Sequence, residues 1–330
     1  MIATETERAE IPPPGNPSNA NARRFCFVFL ALTLLWPVAT ILFARSSLYL
    51  RVSTDKADFL TDFYLNLSNQ RYDVVFFGDS TCMYGVVPVA IQARTRLTAV
   101  NLCQSNGILA SQGTTALDFY LLHNAKPSVL VLYLAPPGAT IIPEPENIDG
   151  VKARIRHGSI PSLLLLLSAH PAPAIRALVA FSYDIVRGLL RTAATGTFQG
   201  DTLRASELKG FGFMPNNGAG TLPDGCREYT GGGENWKRHE FIDQFRKNYA
   251  SLGVPILVVP GPVADCDRAL PEYQRILGPV FDEMPYSIPH DMIADDGHPL
   301  HPIPVAVPEI TAKLAARIQV ALPDKKGDGK

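Results

Sequence analysis

The chain has 330 residues, 46% of them hydrophobic, which is enough to build one large buried core. Its formal net charge of -1 argues against a nucleic-acid partner. We expect one globular domain, residues 45–330, preceded by an N-terminal appendage.

The appendage divides into a polar tail and an apolar segment. Residues 1–24 are polar and contain prolines, so this tail is predicted to be disordered. Residues 25–44, Phe25 to Ala44, carry no charge. About 20 apolar residues are enough for one helix to span a bilayer. Arg45-Ser46-Ser47 does not resemble a signal-peptide cleavage site, so we predict an uncleaved transmembrane anchor.

Basic residues flank the apolar segment on both sides. Arg23 and Arg24 precede it, which by the positive-inside rule places the N-terminus in the cytoplasm. Arg45, Arg51 and Lys56 follow it and weaken that argument. We expect a single-pass protein of the cytoplasmic (inner) membrane, with its domain in the periplasm or outside the cell.

The cysteines give a second indication of compartment. Outside the anchor, which contains Cys26, there are four: Cys82, Cys103, Cys226 and Cys266. They can form disulfides in an oxidising periplasm, or they can be isolated buried thiols. The sequence has no Cys-x-x-Cys cluster, and we predict neither a metal nor a cofactor.

The domain begins with alternating strands and helices. Strands are predicted at 73–77, 98–102 and 128–134, and helices at 88–96 and 111–124. Residues 139–233 interrupt this alternation as a helical and loop insertion, with helices at 159–170 and 174–192. We predict that these apolar helices pack on the core, with contact to a membrane surface as the alternative.

Alternation resumes after the insertion. Helices are predicted at 236–251, 271–281 and 307–322, and strands at 254–259 and 286–288. This pattern is typical of a doubly wound α/β fold with a parallel sheet, in which ligands bind at the carboxyl ends of the strands.

Candidate catalytic residues follow predicted strands. Ser80 comes directly after the first strand, in Gly78-Asp79-Ser80, and Asp295 and His298 precede the last helix. A serine hydroxyl needs a base beside it and a third group to orient that base. We therefore predict a triad of Ser80, His298 and Asp295, with His301 as a substitute base and Asp296 as a substitute orienting acid.

An oxyanion hole is predicted beside the nucleophile. The backbone N–H groups of Ser80 and Gly107 are its candidate donors, because Gly107 follows the second strand. Asp79 and Asn106 are expected to support the site. Cys82 is expected to be a packed residue rather than the nucleophile. The remaining histidines lack a comparable spacing and are interpreted as structural or surface residues: His123, His157, His170, His239 and His290.

With these motifs the chain resembles the SGNH (GDSL-type) hydrolases. The matching segments are residues 75–80 for the nucleophile, Gly107 for the second block, and residues 295–299 for the acid and base. The resemblance covers about residues 72–134 and 254–322. It implies a flavodoxin-like three-layer α/β/α sandwich and acyl transfer through the serine.

One block departs from the family pattern. After the third strand the family usually has Gly-x-Asn-Asp, whose Asn donates to the oxyanion, whereas this chain has Ala135-Pro136-Pro137-Gly138. Loss of that donor costs about 3 kcal/mol of transition-state stabilisation unless another group replaces it. A similar departure is compatible with the membrane-anchored SGNH-like proteins that accompany membrane-bound O-acyltransferases.

The resemblance thus implies a serine esterase or O-acyltransferase acting on acyl groups, such as acetyl, of a cell-surface glycan, beside a membrane-bound O-acyltransferase. Two alternatives stay open. The first is a catalytically inactive scaffold or glycan-binding partner of such a complex. The second is a membrane-tethered lipase, which an amphipathic insertion would favour.

Overall fold

The computed structural model describes residues 19–53, 55–201, 212–213, 216, 220–222, 235–295 and 300–322. Its helices are α1 Asn19–Ala44, α2 Ser47–Val52, α3 Lys56–Leu65, α4 Ser80–Gly85, α5 Pro88–Thr95, α6 Asn106–Gln112, α7 Thr115–His123, α8 Ile148–His157, α9 Ile160–Ala169, α10 Pro171–Thr195, α11 Glu240–Tyr249, α12 Leu270–Leu277 and α13 Val307–Ala321. Its strands are β1 Val74–Gly78, β2 Ala99–Asn101, β3 Val129–Leu134, β4 Ile256–Pro260, β5 Val263–Ala264 and β6 Ser287–Ile288.

A four-stranded parallel sheet lies at the centre of the domain. Its strand order is β2-β1-β3-β4. In register, Val74 of β1 lies opposite both Ala99 of β2 and Val129 of β3. Every residue of β1 and β3 is buried, as expected for strands covered on both faces. The predicted α/β fold with a parallel sheet is confirmed.

Helices cover both faces of this sheet. Val75 and Phe77 pack with α7, α11 and α12 on one face, and Val74 and Phe76 pack with α4, α5 and α13 on the other. Alternate residues of a strand point to opposite faces, so a continuous apolar run supplies both cores. The chain leaves β1 for β2 on one side, and β3 lies on the other side. The carboxyl end of β1 is therefore a topological switch point, where such folds bind ligands.

Several elements differ from the sequence prediction, which did not include helices α2, α3 and α4 or strand β5. The strand predicted at 286–288 pairs with β5 in a separate two-stranded sheet rather than joining the main one. The helix predicted at 111–124 corresponds to α7, and an unpredicted helix α6 precedes it and ends where Gly113 adopts a left-handed φ of 56°. Helix α8, inside the predicted insertion, was not predicted.

The N-terminal helix α1 begins at Asn19, before the predicted anchor start at Phe25; residues 1–18 lie outside the described residues. Within the described part of the chain, α1 alone is long and apolar enough to cross a membrane as one helix. Most of its apolar side chains are exposed. At its C-terminal half, the indole Nε1 of Trp36 donates to Ser182 Oγ at 3.0 Å, so α1 contacts α10.

A buried charged cluster joins the insertion helices to the sheet domain. Lys152 of α8 is almost fully buried, and its Nζ lies 3.0 Å from Asp184 of α10 and 3.6 Å from Asp58 of α3. It also pairs with Asp55. A buried ammonium is tolerated only when it is paired in this way. The cluster therefore holds α3, α8 and α10 in one arrangement.

Candidate active site

Ser80 is placed by a close approach of two strands. A Cβ on Gly78, the last residue of β1, would lie 1.7 Å from the carbonyl oxygen of Tyr133 in β3. Only glycine fits there. The chain then turns, and Ser80 becomes the first residue of α4 at the carboxyl edge of the sheet. The position predicted for the nucleophile is thus at the switch point.

Asp79 stabilises this turn through hydrogen bonds. Its carboxylate caps α4 by accepting from the N–H groups of Thr81 at 2.9 Å and Cys82 at 3.4 Å. It also accepts from the N–H of Ala135, after β3, at 2.7 Å. Burial raises the pKa of Asp79 to about 6, although these N–H groups and the charge of His301 favour the anion. Asp79 therefore ties the ends of β1 and β3 together, close enough to His301 to interact with its charge.

The histidine beside the serine is His301. Its Nε2 lies 2.8 Å from Ser80 Oγ, which is hydrogen-bond distance for a nucleophile and its general base. The ring of Tyr84 contacts the imidazole edge-on, with ring centroids 4.9 Å apart. This contact restricts the orientation of the imidazole from the side of α4.

An antiparallel pairing positions His301 at the site. Ile293 and Pro302 form an antiparallel bridge, and the N–H of Ala294 donates to the carbonyl oxygen of His301 at 2.8 Å. The N–H of Ile303 donates to Met292 O at 3.0 Å on the next rung. His301 therefore lies on the second segment of this antiparallel pairing, before α13.

The other members of the predicted triad are placed differently. His298 and the substitute acid Asp296 lie outside the described residues. Asp295 is exposed, its N–H donates to Gly220 O at 2.8 Å, and within the described residues its carboxylate makes no hydrogen bond to His301. The Asp-x-x-His spacing favoured His298 in the sequence. No comparable sequence motif indicates the pairing of residues 293–294 with 301–302, which brings His301 to Ser80.

Gly107 shares a cavity with the serine and histidine. This cavity of about 260 Å³ is lined by Asp79, Ser80, Thr81, Met83, Tyr84, Ser105, Asn106, Gly107, Ala135, Leu300 and His301. Gly107 lies in the first turn of α6, where backbone N–H groups have no acceptor within the helix. A Cβ there would lie 2.8 Å from Asn147 Oδ1 and 2.9 Å from Asp149 Oδ2. The structure thus brings Asn106 and Gly107 to the predicted site.

A second cavity of about 400 Å³ continues from the first. The two share Asn106, Gly107 and Leu300. Its far wall combines Ile141 and Ile142 with Glu144 and other residues of the chain after β3. The serine therefore faces a space large enough for a small acyl group, next to a groove of mixed polarity that can hold the rest of a substrate.

The segment after β3, residues 135–138, departs from the family pattern, and this departure has a structural basis. Pro136–Gly138 form a single 3-10 turn, and the N–H of Ala135 is already bonded to Asp79. A Cβ on Gly138 would lie 2.9 Å from Asp79 Oδ2. Residues 135–138 carry alanine, proline and glycine side chains, which have no hydrogen-bond donor, so this loop presents no side-chain donor to the cavity.

A disulfide joins the two loops of the site. Cys82 of α4 is bonded to Cys103, which follows β2, and both are buried. The bond links the helix that begins with Ser80 to the segment that leads to Gly107. Cys266 is also disulfide-bonded, whereas Cys26 is free.

The disulfide of Cys266 bears on metal binding. Asp265, Cys266 and His290 bring possible ligand atoms within 4.8 Å of one another. The sulfur of Cys266 is in a disulfide and cannot serve as a thiolate ligand, and His290 Nδ1 is already 3.0 Å from Asp265 Oδ1. This donor set does not fit a metal.

Comparison of the chain with protein-family models, curated proteins and solved structures finds no match. The function must therefore be argued from the site itself.

Proposed function

We propose that the chain is a membrane-anchored serine esterase or O-acyltransferase of SGNH type. The observation that carries this proposal is the 2.8 Å contact between Ser80 Oγ and His301 Nε2 at the carboxyl edge of a doubly wound parallel sheet. Ser80, His301 and the first-turn residues Asn106 and Gly107 of α6 line one cavity there. In this proposal His301 takes the role of the base that the spacing of motifs had given to His298.

The proposed reaction has two steps. Ser80 Oγ attacks an ester carbonyl while His301 Nε2 accepts its proton, and the N–H groups of Ser80 and Gly107 donate to the developing oxyanion. His301 then passes the proton to the departing alkoxide, which leaves an acyl-serine. In the second step His301 removes a proton from water or a sugar hydroxyl, which attacks the acyl group. The proton returns to Ser80 as the product leaves.

Asp79 has an electrostatic part in this scheme. Its anion and a positively charged His301 stabilise each other. Proton transfer from Ser80 creates that positive charge on the imidazole, so the buried carboxylate favours the charged state that forms during catalysis. Asp79 acts through His301 and through the turn, and it is therefore a positioning residue.

Two features support an extracytoplasmic location. Helix α1 has the length and apolarity of a membrane anchor, and the Cys82–Cys103 bond is of the kind that persists in oxidising compartments. Together with the resemblance, they support acyl groups of a cell-surface glycan as the substrate class and a membrane-bound O-acyltransferase as a partner.

Fluorophosphonate labelling of the full chain in detergent, with mass spectrometry to locate the adduct, tests this proposal. We expect an adduct on Ser80 that is lost in His301→Ala and retained in His298→Ala. Loss in His298→Ala alone would return the role of base to His298. No adduct on a protein with a wild-type circular dichroism spectrum would instead favour an inactive scaffold, the alternative motivated by residues 135–138.

A further inference from the structure

Helices α9 and α10 present an apolar surface that nothing in the described structure covers. On α9 the exposed side chains include Ile160, Leu164 and Leu165, between 61% and 68% exposed, whereas Leu163 and Leu166 are buried. An apolar residue gains by burial, so a soluble helix is expected to turn such side chains inward. This face of α9 is therefore suited to an apolar environment outside the domain.

Helix α10 extends this surface. Its exposed apolar residues recur every three or four positions and form one stripe: Ile175, Val179, Tyr183, Val186 and Leu190. The opposite side of α10 packs into a separate core with α8, α9 and the end of α1, through Ala174, Ala177 and Phe181. The stripe is thus a second apolar face, additional to the one that holds the helix in the domain.

Basic side chains border the stripe. At 3.6 residues per turn, Arg176, Arg187 and Arg191 lie along one edge of it, and all three are exposed. An apolar stripe edged by arginines is the pattern of helices that lie in the interface of an anionic bilayer. The apolar residues enter the acyl region, while the guanidinium groups reach the phosphates.

The position of α1 places this surface at the membrane. Trp36 and Thr40 of α1 both contact Ser182 of α10, and the Arg156 guanidinium donates to the carbonyl of Ala44 at the end of α1. Thr40 and Trp36 lie about 6 Å and about 12 Å before Ala44 along the helix axis. If α1 spans the bilayer, α10 contacts it at the depth where interfacial helices lie.

We infer that α9 and α10 dock onto the bilayer that α1 crosses, with the apolar stripe in the acyl region and Arg176, Arg187 and Arg191 on anionic headgroups. This inference rests on the proposed membrane anchoring. The lipid surface orients the domain, so that the insertion lies on the membrane and the sheet is held beside it.

Site-directed spin labelling tests the docking. The full chain carries Cys26→Ser and one new cysteine, at Leu165 or Val186, in nanodiscs of phosphatidylethanolamine and phosphatidylglycerol. Collision with oxygen reports lipid, and collision with a soluble nickel chelate reports water. Phe29→Cys in α1 is the control for the anchor. Leu122→Cys, on an exposed leucine of α7, is the control for a residue in water.

We expect the oxygen-to-nickel accessibility ratio at Leu165 and Val186 to be several-fold higher than at Leu122 and close to that at Phe29. A ratio equal to that of Leu122, with Phe29 in lipid, would overturn the docking and leave the anchor intact. A water-exposed Phe29 would overturn both. Protection of Leu165 from both reagents would mean that a second copy of the chain covers the face, which also overturns the inference.

A second measurement addresses the arginines. In nanodiscs of phosphatidylcholine alone, the ratio at Val186 should fall while that at Phe29 stays constant. An unchanged ratio at Val186 would overturn the assignment of anionic headgroups to this edge.

Discussion

The backbone N–H of Ala294 donates a hydrogen bond to the carbonyl oxygen of His301 at 2.8 Å. This rung, together with the bridge between Ile293 and Pro302, fixes the backbone of the histidine that lies 2.8 Å from Ser80. His301 is therefore held by main-chain pairing on one side and by the ring of Tyr84 on the other.

Replacing the base should lower the rate without unfolding the protein. We expect His301→Ala to reduce kcat for an activated acetyl ester by about 10²- to 10⁴-fold, the usual contribution of a general base. Ser80→Ala should remove covalent labelling altogether. Steady-state kinetics on both variants and on His298→Ala measure this. A larger loss in His298→Ala than in His301→Ala would contradict the assignment.

The contact between Tyr84 and His301 predicts a graded effect. Tyr84→Ala removes the ring that lies 4.9 Å from the imidazole, so we expect kcat to fall about tenfold while KM changes little. Tyr84→Phe keeps the ring and is the matched control, with kcat close to wild type. If the two variants lose activity equally, the hydroxyl rather than the ring is the group that matters.

The buried carboxyl of Asp79 predicts a pH dependence of stability. Burial raises its pKa from the ordinary 3.8 to about 6, so between these values the folded state binds more protons than the unfolded state. The free energy of unfolding should therefore fall as pH rises through this window, by on the order of 3 kcal/mol from this group.

Asp79→Asn isolates this contribution. Chemical denaturation at pH 4 and pH 6 should show that the wild type, relative to the variant, loses stability over this window. Asp295→Asn, which removes an exposed carboxyl, is the control. The difference in the free energy of unfolding between this variant and the wild type should be the same at pH 4 and at pH 6. A difference that grows in favour of the wild type with rising pH would show that the pKa of Asp79 is lowered instead.

The Cys82–Cys103 disulfide should support both stability and activity. It closes a segment of sequence separation 21, for which chain entropy predicts a stabilisation of about 3 kcal/mol. We expect the double variant Cys82→Ser, Cys103→Ser to melt at a lower temperature and to react more slowly with the fluorophosphonate. Reductant should lower the Tm of the wild type by more than that of the double variant, which keeps the disulfide of Cys266. Cys26→Ser, which removes the free thiol in α1, is the control and should have the Tm of the wild type. Equal Tm values for the wild type and the double variant would contradict the prediction.

The sequence was sufficient for the parallel sheet and for the position of Ser80 directly after β1. Apolar runs such as Val129–Leu134 are long and uninterrupted, and a buried parallel strand needs just that pattern. Ser80 was predicted because Gly78 and the strand before it are local signals. The cavity also brings Gly107 to Ser80, as their positions after neighbouring strands had indicated.

The histidine beside Ser80 was harder to predict because its position depends on tertiary pairing. Contacts between residues 293–294 and 301–302 bring His301 to Ser80, and no local motif in the sequence indicates these contacts. The sequence also did not show which leucines of the apolar insertion are buried. Leu163 and Leu166 are buried while Leu164 and Leu165 are exposed, so one run of leucines serves two surfaces.

The Lys152 cluster has a consequence for how the molecule unfolds. Its carboxylate partners come from α3 and from α10, so separating the insertion from the sheet domain would leave charges buried without their counterions. Such a loss costs about 3–5 kcal/mol, a large share of the stability of an ordinary domain. The insertion and the sheet should therefore melt in one cooperative transition, and limited proteolysis should not release either as a stable fragment.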